Sequence, residues 1–132
     1  RNLKKKNVLE EKVLFGNSNY KGVHIFKKIA DYFKDEIFYI FDLKHKKKTK
    51  VKNIYYLPWI SSPNQYSYAK LVLIPSVCGE AYSRTAVEAQ LLKIKLLVSD
   101  DAGLKYSVKN KKIRIKNFKN EKSWIKKIKE II

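Results

Sequence analysis

The sequence predicts an α/β domain in which an open parallel sheet carries helices on both faces. Three observations lead there. Short continuous apolar runs, above all Ile37-Phe38-Tyr39-Ile40-Phe41 and Leu71-Val72-Leu73-Ile74, have the composition of strands covered on both sides. Segments with apolar residues at helical spacing lie between such runs, so the two patterns alternate along the chain. Prolines and glycine-containing turns separate the pieces.

In order, residues 1–11 are polar and irregular and read as a linker or the end of an upstream element, with the domain proper over 12–132. Lys12-Val13-Leu14-Phe15 is the expected first strand. A turn-rich segment from Gly16 to Gly22 leads into Val23, Phe26, Ile29, Ala30 and Phe33, whose spacing predicts an amphipathic helix. The run from Ile37 to Phe41 is the next strand, and the lysine-rich residues 44–52 read as a solvated basic loop. Asn53-Ile54-Tyr55-Tyr56-Leu57 is a strand stopped by Pro58. Ser61-Ser62-Pro63 has the capping chemistry of a short helix, since proline is tolerated in a first turn. Leu71 to Ile74 is a strand ended by Pro75. Thr85, Val87, Glu88, Ala89, Leu91 and Leu92 then predict a helix, Leu96-Leu97-Val98-Ser99 a strand, and Ile113-Arg114-Ile115 a last strand. Trp124, Ile125, Ile128, Ile131 and Ile132 predict a closing amphipathic helix.

A chain of 132 residues is one domain with room for a core, so a two-domain function needs a partner outside it. With no methionine and an arginine first, the chain is expected to be a piece of something longer. It contains no apolar run near the ~20 residues of a membrane span and no signal-peptide pattern. Its one cysteine, Cys78, has no internal disulfide partner, which fits a reducing cytoplasm. The net charge of +18 comes almost wholly from lysine. Two readings of it stay open: a surface for nucleic acid, anionic membrane or anionic substrate, or compositional drift toward lysine, isoleucine and asparagine.

In an open α/β sheet, ligands bind beyond the carboxyl ends of the strands. Four segments there deserve inspection: 16–22, 58–62, 75–82 and 99–104. The third is the richest. After the strand ending at Ile74, a loop with Gly79 re-enters a helix near Ser83, so the amides of Ala81, Tyr82 and Ser83 would present an anion site. Glu80 and Glu88 flank that helix start, roughly two helical turns apart. Carboxylates beside a phosphate suit hydroxyl groups rather than the phosphate itself. Equally, Glu80 fits as a helix cap and Glu88 as a surface residue. Lys21, between Gly16 and Gly22, fits a point charge for a diphosphate, or one more exposed lysine.

These residues resemble the C-terminal, donor-binding domain of GT-B fold glycosyltransferases, in particular the group 1 or family 4 retaining enzymes. The family signature, an apolar strand ending in Pro-Ser, then a glutamate, seven residues and a Glu-Ala pair, is matched in order and spacing by Ile74-Pro75-Ser76, Glu80, Arg84 and Glu88-Ala89. Leu14-Phe15-Gly16 with Lys21-Gly22 resembles the first strand and diphosphate loop. Residues 53–57 resemble the strand before the base-binding loop, Tyr68-Ala69-Lys70-Leu71 the run into the signature strand, and Leu97-Val98-Ser99-Asp100 with Gly103-Leu104 the strand and turn after the signature helix. The likeness extends from about Lys12 to the end.

The resemblance implies a Rossmann-like domain that binds a UDP- or GDP-sugar for retaining, metal-independent hexosyl transfer, in bacterial surface polysaccharide or lipopolysaccharide synthesis. It gives Glu80 a donor-sugar hydroxyl, the Ala81, Tyr82 and Ser83 amides the distal phosphate, Glu88 the ribose and Lys21 the leaving diphosphate. It puts Leu57 and Trp59 near the base, with Trp59 alternatively in the core, and Gly16, Asn17 and Arg84 beside the phosphates, with Arg84 alternatively on the helix surface. Glu80 and Lys21 are the residues closest to catalysis. Asn17 stands where the family usually has an arginine, and Lys105-Tyr106 where Pro-Glu is common. No cofactor is implied, and lone His24 and His45 offer no metal cluster. The implied partners are the nucleotide-sugar and an N-terminal acceptor domain, in the cytoplasm; the basic face separately offers an anionic membrane surface as a further partner. A basic nucleic-acid-binding module and a non-catalytic scaffold of the same fold are the rival readings.

Overall fold

The computed structural model describes residues 22–42, 46–58, 70–76, 84–101 and 106–131, with the backbone alone for Asp42, Arg84 and Thr85. The expected strand at 12–15 and short helix at 61–63 lie outside them. Helix α1 spans Val23–Tyr32, strand β1 Phe38–Asp42, β2 Thr49–Val51, β3 Ile54–Pro58, and β4 Leu71–Ile74. Helix α2 covers Arg84–Leu91, β5 Lys95–Ser99, a short 3-10 turn Lys111–Ile113 leads into β6 Arg114–Ile115, and helix α3 is Glu121–Ile131.

Two three-stranded sheets form, ordered β1-β3-β2 and β4-β5-β6. In the first, β1 and β3 are parallel and β2 is antiparallel to β3; in the second all neighbours are parallel. Residues of period two divide each strand between two cores. Phe38, Ile40, Ile54, Tyr56, Leu71, Leu73, Leu97 and Ile115 face α1 and α3, packing on Phe26, Ile29, Trp124 and Ile128. Phe41, Leu57, Val72, Ile74, Leu96 and Val98 face Ala86 and Ala89 of α2 and Val108. Both sheets thus contribute to both cores, with helices on either side. The class is α/β, as the alternating pattern requires.

Each helix follows from its spacing. In α1 the buried stripe is Val23, Ile25, Phe26, Ile29 and Ala30, and Phe26 meets Phe38 edge to face with centroids 5.5 Å apart. In α3, Trp124 and Ile128 are buried four apart, and the Trp124 indole N–H donates to the Phe118 carbonyl at 2.9 Å, which satisfies the one polar atom of a fully buried ring. At the end of α2, Lys93 N–H donates to Gln90 O and Ile94 N–H to Ala89 O, a Schellman closure with Lys93 at φ 58 where glycine is usual.

Residues 44–52 differ from expectation. Rather than a loop throughout, Thr49–Val51 is an edge strand, and the first sheet is mixed. Lysine hid it: at a sheet edge every side chain can stay in water, so no apolar alternation is needed, and charged side chains are common there. All three residues are exposed. A two-residue turn, Lys52 and Asn53, closes the hairpin with Lys52 at φ 56. The Asn53 amide group donates to the carbonyls of Ala30, Phe33 and Glu36 at 2.9, 2.9 and 3.0 Å, so a turn residue also caps the end of α1.

Candidate functional site

Strand β4 is buried throughout and hands over to Pro75 and Ser76, which are buried as well. Gly22 begins α1 at φ 85. The two meet: a Cβ on Gly22 would lie 1.8 Å from the Pro75 carbonyl oxygen and 2.6 Å from its carbon. Only a residue without a side chain fits this contact, since the opposing atoms are backbone. The start of α1 therefore sits directly against the carboxyl end of β4.

The same helix start has no side-chain cap. Ile25 and Phe26 N–H both donate to the Gly22 carbonyl at 3.0 Å, so the amides of Val23 and His24 are the ones left outside the helical ladder. They add the positive end of the helix dipole to this corner. His24 is exposed in that turn.

Beside β4, the carboxyl ends of β5 and β6 are tied by polar contacts. Ser99 Oγ donates to Ile74 O at 3.4 Å from a buried position, and Asp100 N–H donates to Ile115 O at 2.9 Å. Arg114 Nε lies 3.1 Å from Asp100 Oδ1, with side chains 13% and 14% exposed. Its N–H is not aimed at that oxygen, so the pair is a Coulombic contact rather than a hydrogen bond. The Arg114 guanidinium instead donates through Nη1 to Val108 O at 3.0 Å. Together these fix Ser99 and Asp100 at the end of β5.

Of the residues singled out from the sequence, Leu57, Arg84 and Glu88 are described. Leu57 is paired in register with Phe41 and buried in the α2-side core, one residue before the end of β3. Arg84 is the first residue of α2, and Glu88 is half-buried one turn further on. Gly16, Asn17, Lys21, Trp59, Glu80, Ala81, Tyr82 and Ser83 lie outside the described residues. Their described neighbours do converge: Gly22 follows Lys21, and Pro75 opens the segment that carries Glu80. The Gly22–Pro75 contact and the Asp100–Arg114 pair went unread in the sequence. The carboxylate directly after β5 was the one local signal for the second.

A wide cleft among the described residues lies elsewhere. A groove of about 1030 Å³ runs between α1 and α3, with Tyr32 and Ile125 among lysines and carboxylates. It is lined from the second half of α1 and so lies away from Gly22. Among the described residues no group of His, Cys, Asp and Glu side chains is arranged to hold a metal, and no helix is long and apolar enough to cross a membrane. No protein-family model matches the chain, and no curated protein matches it.

Proposed function

We propose that this chain is the donor-binding domain of a retaining glycosyltransferase of the GT-B type, taking a UDP- or GDP-sugar. The observation that supports it best is the Gly22–Pro75 contact. It sets the start of α1 against the carboxyl end of β4, the edge where α/β sheets bind ligands, and in the sequence Lys21 directly precedes the one and Glu80 follows the other. The finer fold in this reading is one Rossmann-like sheet. In its favour, both three-stranded sheets share the same two cores, and β1 and β4 keep buried side chains although each ends a sheet among the described residues.

In this site a diphosphate would lie at the start of α1, where Lys21 and the amides of the first helical turn would supply positive charge before the leaving group departs. The second helix start, at α2, would receive the distal phosphate through the amides of Ala81, Tyr82 and Ser83. Glu80 and Glu88 accept hydrogen bonds from donor hydroxyls, Glu88 from the ribose. Asn17 and Arg84 flank the phosphates, and Trp59 follows β3 toward the base. Acceptor recognition, and therefore transfer, belongs to a second domain in the cytoplasm.

Calorimetric titration of the 132-residue chain with UDP and GDP tests the reading. One of the two should bind, and Lys21→Ala and Glu88→Ala should each weaken it by about tenfold, the worth of one charge-assisted contact. A wild-type chain that binds neither nucleotide, or variants that bind as well as wild type, would sink it. Salt-sensitive binding of random oligonucleotides in place of nucleotides would favour the basic-module alternative.

A further inference from the structure

Residues 46–52 are all exposed, and five of the seven are lysines with no carboxylate among them. The structure turns these from a basic loop into a fixed array. Thr49–Val51 is held antiparallel against β3, with Lys50 opposite Tyr55. Lys48 and Lys50 lie over the Tyr55 ring, their ammonium nitrogens 4.5 and 5.6 Å from its centroid. Because β2 runs opposite to β3, residues 46–48 lie toward the carboxyl end of β3, while Lys50 and Lys52 border a groove that also holds Asp31, Asp35 and Glu36. The carboxylate-free part of the array is therefore its leading end, Lys46, Lys47 and Lys48.

We infer that this hairpin edge docks the protein on an anionic phospholipid surface, independently of the nucleotide reading. A hairpin edge of exposed lysines with one exposed aliphatic side chain, Val51 at 51%, is complementary in charge to a bilayer headgroup layer and offers it one apolar contact. Single-stranded nucleic acid fits less well. It needs open aromatic faces for stacking, and here the Tyr55 face is taken by Lys48 and Lys50 while Tyr56 is buried. Pairing of β2 with a second copy is opposed by the lysines that line the edge.

With a net charge of +18 the whole chain is drawn to anionic surfaces, so the test must locate the contact. The 132-residue chain is sedimented with phosphatidylcholine vesicles, with and without phosphatidylserine, at physiological ionic strength. Two variants of equal charge are compared. One carries Lys46→Gln, Lys47→Gln, Lys48→Gln and Lys50→Gln; the other carries Lys122→Gln, Lys126→Gln, Lys127→Gln and Lys129→Gln on α3.

The hairpin variant should lose about tenfold or more in affinity for the phosphatidylserine vesicles and the α3 variant less than about threefold. If the hairpin variant melts below wild type, the triple variant at 46–48, which leaves β2 intact, takes its place against a triple α3 variant at Lys122, Lys126 and Lys127, with the same expectation. Equal losses from hairpin and helix would reduce the effect to overall charge and overturn the proposal. So would absence of binding by the wild type, or a hairpin variant that still binds vesicles but no longer binds random oligonucleotides.

Discussion

Replacing Gly22 with alanine tests the contact on which the candidate site is built. The new Cβ would start 1.8 Å from the Pro75 carbonyl oxygen, against the ~3.3 Å at which carbon and carbonyl oxygen normally meet. The helix start and the end of β4 must therefore part by about 1.5 Å. No rotamer relieves this, because the opposing atoms are backbone at a buried strand end. Holding alanine at φ 85 adds about 1–2 kcal/mol, and forced overpacking costs about 1–3 kcal/mol. The sum, about 2–5 kcal/mol, is a large share of a total stability of about 5–15 kcal/mol. For a domain of this size it corresponds to a fall in Tm of about 6–25 °C.

Thermal melting followed by circular dichroism reads the effect directly. Gly22→Asn separates its two parts, since asparagine tolerates positive φ but still carries a Cβ. It should be nearly as unstable as Gly22→Ala. An alanine variant melting within about 2 °C of wild type would refute the contact, and a stable asparagine variant would assign the effect to φ alone.

Two further substitutions act away from that corner. Lys93→Gly places glycine at the left-handed position of the α2 Schellman closure, and should raise stability by about 1 kcal/mol; a lower midpoint in urea would contradict the strain assigned to Lys93. Asn53→Ala removes the amide that serves three carbonyls at the end of α1, and should cost about 1–3 kcal/mol. Asn53→Asp should be no better, because its carboxylate would face acceptors, and an aspartate variant as stable as wild type in the same urea titration would show that the three bonds carry little.

Helices α1 and α3 were legible because their apolar stripes repeat at helical spacing, with Phe26 and Trp124 at their centres. The strands β1, β3, β4 and β5 were legible as short apolar runs bounded by turns or proline. What escaped was non-local or edge-bound. β2 is three residues of exposed side chains, and its stability comes from the backbone ladder to β3, which leaves no mark on composition. Asn53 reads as the first residue of a strand, yet its amide reaches carbonyls 17 to 23 residues earlier. Gly22 reads locally as a permissive backbone position, but its partner, Pro75, is far along the chain, and no local pattern names it. Of the candidate site, the signature spacing pointed to the corner beyond β4, and the structure adds the contact that seals that corner.

The two lysines at positive φ have a consequence of another kind. Lys52 and Lys93 both precede parallel strands, β3 and β5, at the amino side of the sheet. The chain has four glycines, Gly16, Gly22, Gly79 and Gly103, and none of them is placed in those turns. All four fall in the segments expected beyond strand carboxyl ends. In the turns at the amino side, Lys52 and Lys93 instead hold the left-handed conformation that glycine adopts without strain. Stability can therefore be added at the amino rim, one turn at a time, without touching the rim where a ligand would sit.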